Sequence, residues 1–326
     1  MLLTDPTDIR SAKLVSGNAQ VTILSLGAIT QDWQIAGLAA PTRVVLGYRD
    51  PTDYLTNPAY LGVIAGRVAN RIGYGRFDLG GKAIHLPRNS APHTLHGGMM
   101  GLGRRNWQLE VDGDRAVQLS YVSPDGEDGF PGAVSFEITI SLEGHRLSYD
   151  MRAWPDRPTP ISLAQHSYYT LGQPEIADFT LTLPASRTTQ TDDTCLPTGR
   201  LEDVAGSPLD FRHGRSIRQA DPGRHGIDRN FVLDQEGAVL RLTSSRGLAL
   251  KMETDQPGVQ LYTATHLGVH GTPLAEQRHA PFSAICLEPQ NFPDAVNHRH
   301  FPDPIHSPDR PYRQRLSVTI APVGLC

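Results

Sequence analysis

The sequence predicts an all-β fold, one large antiparallel sandwich of two sheets with long loops. Three observations predict it. Apolar and polar residues alternate with period two over several segments, as in Val134-Ser-Phe-Glu-Ile-Thr-Ile-Ser-Leu142. Helical periodicity is scarce. The 31 glycines and 26 prolines are spread through the chain as turn punctuation rather than gathered in a linker. Many antiparallel strands with few helices leave a sandwich or a barrel as the architecture.

Taken in order, Val21 to Ile29 is the longest apolar-rich stretch, far too short to span a bilayer. Pro58 to Ile72 has room for a short helical turn, but Gly62 and Gly66, with Gly73 just beyond, argue against a longer helix. Trp107 to Val111 runs as a strand, turns at Asp112-Gly113-Asp114 and returns through Val117, Leu119 and Tyr121. The Val134–Leu142 strand turns at Glu143-Gly144-His145, and Leu147, Tyr149, Met151 and Ala153 resume the alternation. Leu248, Leu250 and Met252 open another strand, Val259 to Thr263 forms the next, and Leu316 to Ile320 reads as the last. A chain of 326 residues admits one domain or two. With no linker, low-complexity block or repeat, a single domain over residues 1–326 is expected.

Composition excludes several classes. Hydrophobic residues make up 39% and charged residues 20%, as in a soluble globular protein with an ample core. A net charge of -4 is no nucleic-acid footprint, and no membrane partner is indicated. Met1-Leu-Leu-Thr-Asp-Pro lacks the basic and apolar regions of a signal peptide. Cys195, Cys286 and Cys326 form no CxxC pair, so a reducing cytoplasm is expected.

Five segments carry residues suited to chemistry. In "AGRVANRIGYGRF", Asn70 and Arg71 lie between glycines, and a guanidinium offers a fixed fork of donors, although a surface ion pair is the commoner use. In "HTLHGGMMGLGRRNW", His96 precedes two glycines that let backbone approach a ligand. In "PISLAQHSYYTLG", a strand would place Ser162, Ala164, His166 and Tyr168 on one face; a hydrogen-bonded core histidine is the plainer alternative. In "GIDRNFV", Asp228 follows a glycine-flanked apolar residue, where an aspartate usually serves its own turn. In "PFSAICLEPQNFPDAVNH", Phe282, Ala284, Cys286 and Glu288 share a strand face, and Pro289 is expected to end the strand. No HExxH, P-loop, GxSxG or helix-opening GxGxxG occurs. His298 and His300 could share a strand face, but no third ligand is indicated, so no metal is expected.

Each segment alone is weak. In order they resemble the aldose 1-epimerases, also called galactose mutarotases. The matching pieces are "GRVANRI", "LHGG" with Trp107 downstream, "SPDGEDGFPG", "HSYYTLG", "GIDRNFV", "TDQPGVQLYT" and "EPQNFPDAVN" followed by "FP", covering about Gly66 to Pro302. The resemblance implies an antiparallel β-supersandwich and a cofactor-independent isomerase, acting as a monomer or homodimer on a free aldose such as galactose or glucose. It implies Glu288 as base and His166 as acid, with Asn70, Arg71, His96 and Asp228 binding the sugar. Trp107 or Phe292 could pack on the sugar's apolar face. The chain departs from the family pattern at Gly103, Gln165, Thr170 and Arg229. Two other activities remain open on this fold. A hexose-6-phosphate epimerase would aim Arg104, Arg105 or Arg229 at a phosphate. A non-catalytic sugar-binding protein would not require the paired acid and base.

Overall fold

The computed structural model describes residues 8–36 and 40–325; the Met1–Pro6 segment and Cys326 lie outside the described residues. Two antiparallel sheets dominate. The larger has nine strands, in the order Gln108–Asp112, Ala116–Ser123, Val134–Glu143, Arg146–Pro155, Tyr312–Pro322, Leu248–Thr254, Val239–Thr243, Thr180–Thr182 and Arg215–Ser216. The smaller has six, in the order Tyr168–Tyr169, Ile285–Gln290, Gly258–Tyr262, Asp228–Val232, Arg187–Thr191 and Pro197–Asp203. A four-stranded sheet begins at Ser11–Ser16 and ends at Thr42–Arg43.

Period two explains why the sheets stack. Val134, Phe136, Ile138, Ile140 and Leu142 point inward from one strand of the large sheet. Phe231, Val259, Leu261, Ile285 and Leu287 point inward from the smaller sheet and join the same core. Each such side chain contributes about 1.5–3 kcal/mol by leaving water. The alternate residues of the smaller sheet therefore face the other way. Glu288 lies opposite Gln260 in the ladder, and Asp228 opposite Tyr262. That second face carries the polar cleft.

Both long hairpins occur where the alternation places them, Val134–Glu143 pairing with Arg146–Pro155 and Gln108–Asp112 with Ala116–Ser123. Three local expectations are revised. Pro58 to Ile72 contains turns and the short strands Ile64–Ala65 and Arg71–Ile72, and the helical turn falls earlier, at Pro51–Thr56. His166 is not inside a strand but in the break between Ala164–Gln165 and Tyr168–Tyr169. Its backbone is nevertheless tied, its N–H donating to Val63 O (2.9 Å) and its carbonyl accepting from Gly62 N–H (3.0 Å). Pro289 does not end its strand, which runs to Gln290. The neighbouring Tyr168–Tyr169 strand stops opposite Cys286, so beyond it one side is unpaired and a missing N–H forfeits no ladder bond.

Candidate active site

The five segments that carry the candidate site residues converge on one cleft of about 190 Å³. Its lining includes all six residues singled out for catalysis and binding: Asn70, Arg71, His96, His166, Asp228 and Glu288. Glu288 is only 2% exposed and lies at the base of the cleft, not at its rim.

The first arm is a two-residue ladder in which Arg71 pairs with Leu95 and Ile72 with Thr94. Asn70 and His96 flank it, both with left-handed backbone (φ 60 and 49). Such conformations cost about 1–3 kcal/mol in non-glycine residues and persist only where surroundings enforce them. Here the enforcement is reciprocal. His96 N–H donates to Asn70 O (3.0 Å), and Asn70 N–H donates to His96 Nδ1 (3.2 Å). The glycine after His96 is obligatory. A Cβ on Gly97, whose φ is +87, would lie 1.8 Å from Gly66 O. The "SPDGEDGFPG" segment supports this arm from behind. Arg67 donates to the carbonyls of Pro124 and Gly132 (2.8 Å each), and Asp128 Oδ1 accepts from Met100 N–H (3.1 Å).

The second arm brings His166 and Glu288 together. His166 Nε2 lies 3.6 Å from Glu288 Oε1. His166 stacks against Tyr168, with centroids 5.3 Å apart, and meets His96 edge-on at 5.3 Å. His166 Nδ1 and Glu288 Oε2 have no hydrogen-bond partner in the protein. Burial pushes the Glu288 carboxyl well above its usual range, the Asp228 charge adds to this, and Arg71 opposes it. Burial holds His166 down to about 4. Burial therefore favours a protonated Glu288 beside a neutral His166. The unperturbed values, about 4.3 and 6.5, would put the proton on the imidazole. Desolvation of both charged forms reverses that order.

His96, His166 and Glu288 bring three potential ligand atoms within 4.8 Å of one another. The tautomer of His96 argues against a metal there. Its Nδ1 accepts the Asn70 N–H, so the neutral ring carries its proton on Nε2. A metal-binding histidine has the opposite arrangement, donating from its second nitrogen. His96 is instead a fixed donor, kept neutral by burial and by the nearby His166 and Arg71. His298 and His300 point their Nε2 atoms at the carbonyls of Pro197 and Gly199.

Sequence reasoning missed part of the lining. Gln260 is buried, donates to Asp228 Oδ1 (2.5 Å) and leaves its Oε1 unpartnered. Its place opposite Glu288 becomes visible only once the strand register is known. The aromatic wall is Tyr60, Tyr168 and Tyr262, not Trp107 or Phe292. Trp107 is core, its indole N–H donating to Leu102 O (3.2 Å), and Phe292 packs on Phe301. Gly103, Gln165, Thr170 and Arg229, where the chain departs from the family pattern, lie outside the lining. Arg105 pairs with Glu127 (2.7 Å), Arg229 with Thr191, and Arg104 lies against the hydroxyl of Tyr60; among the described lining residues Arg71 is the one guanidinium. No helix among the described residues is long and apolar enough to cross a membrane.

Known proteins resemble this chain over most of its length. Galactose mutarotase from Mus musculus is 37% identical over 93% of this chain and 92% of its own. Aldose 1-epimerase from Escherichia coli is 31% identical over 87% of this chain and 86% of its own. The crystal structure of an aldose epimerase homologue from C. elegans superposes with a TM-score of 0.91, at 28% identity, covering 97% of this chain and 99% of that one. The family model described as aldose 1-epimerase matches residues 10–319, and the chain belongs to that family.

Proposed function

We propose that the cleft interconverts the α and β anomers of a free aldose, with Glu288 and His166 as its acid–base pair. The enzyme is an isomerase, and its substrate is a small sugar. Ring opening removes the proton of the anomeric hydroxyl and delivers one to the ring oxygen. The open aldehyde rotates about its first carbon–carbon bond and recloses on the other face. Closure runs the two transfers backwards, so each group regains its starting state and no cofactor is consumed.

The observation that carries this reading is the buried pair of a carboxyl and an imidazole 3.6 Å apart, which together need hold only one proton. In the direction of opening, Glu288 takes the hydroxyl proton and His166 protonates the ring oxygen. This requires the less populated tautomer, carboxylate with imidazolium. Its members are reactive for the reason that makes them scarce. A carboxylate whose pKa is raised is a stronger base, and an imidazolium held near 4 is a stronger acid. Arg71 favours the carboxylate. Asp228 and the amide oxygen of Gln260 offer acceptors to sugar hydroxyls, the Nε2–H of His96 offers a donor, and Tyr60 offers an apolar ring face.

Galactose is the first sugar to test, because the mouse relative is named for it. Polarimetry on freshly dissolved α-galactose, α-glucose and glucose 6-phosphate tests the proposal. Acceleration on the free sugars and none on the phosphate is expected. Acceleration on the phosphate alone contradicts it, as does binding of sugar without any acceleration.

A further inference from the structure

The loop that leaves the Glu288 strand carries a second buried acid. Asp294 is 4% exposed and has left-handed backbone (φ 58, ψ 19). It is not part of the cleft lining. It grips the segment that presents Arg71 at two points. The Asp294 N–H donates to the Arg71 carbonyl (2.9 Å), and Asp294 Oδ1 accepts from the Gly73 N–H (2.9 Å). The carboxylate is itself held, Oδ1 by Asn297 Nδ2 (2.7 Å) and Oδ2 at 3.5 Å from His298 Nε2. Gly73 leaves it room, since a Cβ there would lie 3.1 Å from Oδ2. Arg71 is thus fixed on one side by Asp294 and on the other by its ladder with Leu95, next to His96.

We propose that Asp294 is a positioning residue that sets Arg71 in the sugar site. Through it the chain segment beyond Glu288 locks the opposite arm of the cleft. The proposal rests on the reading of Arg71 as a sugar-binding residue. Neither contact is made by a group that touches substrate, so the effect passes through Arg71 backbone geometry.

Asp294→Ala removes the acceptor of Gly73 N–H. Asp294→Asn keeps an oxygen there and loses only the charge facing His298. With the carboxylate's hydrogen bond to Gly73 N–H lost from the Arg71 segment, Asp294→Ala should raise KM about tenfold with a smaller change in kcat. Asp294→Asn should stay within about twofold of the parent, because its oxygen still accepts. In an Arg71→Ala background, Asp294→Ala should add little, since the residue it positions is gone. Equal, additive losses in both backgrounds overturn the proposal, as does an unchanged KM in a folded Asp294→Ala protein. If Asp294→Ala does not fold, Gly73→Ala presses on the same carboxylate from the other side and should give the same KM signature; an unchanged KM there is equally fatal. An Arg71→Ala enzyme with normal KM removes the sugar-binding reading of Arg71 instead. The Arg71 Nε–H resonance then decides the positioning claim. A shift in Asp294→Ala and none in Asp294→Asn supports it, and no shift in either refutes it.

Discussion

Removing the charge of Asp228 should alter binding and the pH profile together. Asp228 Oδ1 is occupied by Gln260 Nε2 at 2.5 Å, which leaves Oδ2 for a sugar hydroxyl. A hydrogen bond to a charged group is worth about 1.5–3 kcal/mol, so Asp228→Ala should raise KM by about 10- to 150-fold. The second effect acts on Glu288. After burial, the Asp228 charge is the larger cause that lifts the Glu288 carboxyl. Without it the carboxylate forms more readily. If the pair acts as proposed, the acid limb of kcat/KM should follow His166 taking a proton, near 4, and the basic limb Glu288 losing one. Asp228→Ala should therefore move the basic limb to lower pH and leave the acid limb in place. Asp228→Asn retains the side chain's size and an oxygen for Gln260. It should shift the basic limb by a similar amount with a smaller rise in KM. Initial rates by polarimetry across pH measure both. A normal KM in a folded Asp228→Ala protein refutes the binding role, and an unmoved basic limb refutes the coupling to Glu288.

Other outcomes follow from the same geometry. Activity should survive exhaustive chelation, because Nε2 of His96 holds its proton; loss on chelation and recovery with added metal would show that the tautomer was misjudged. Acid should destabilise the fold partly through His279. That ring is buried against Tyr48, and burial lowers its pKa to about 4, with His270 adding to the shift and the Gly47 backbone opposing it. The unfolded chain then binds the proton first, so stability is fully present above about 6.5 and falls as pH drops towards about 4. His279→Phe should flatten part of that decline in urea titrations, and an unchanged slope removes His279 from the acid response.

The strands were legible because period two is a local property. Val134 to Leu142 and its partner declare their inner face residue by residue. The same alternation placed Leu287 in the core and Glu288 on the opposite face. The ordered motifs pointed to six residues of the cleft lining before any geometry was known. What they could not convey is how deep each residue lies. Glu288 looked like a carboxylate at a strand's open end, and its neighbour Pro289 like a stop. The strand instead continues along an unpaired side, and burial inverts the protonation of the pair. Gln260 and Tyr60 escaped notice because their roles depend on register and on a loop turned by left-handed backbone, neither of which leaves a local pattern.

The central claim is that one buried proton shared by Glu288 and His166 opens the ring. Glu288→Gln keeps the shape of the side chain and cannot accept that proton. At saturating galactose, polarimetry should show turnover reduced by about 10²–10⁴-fold, with KM changed much less. His166→Asn should do the same, and the double variant should be little worse than either single one, as for two groups that act as a unit. Mutarotation at a near-normal rate by the folded Glu288→Gln enzyme would contradict the account and leave the cleft a sugar-binding site without this chemistry.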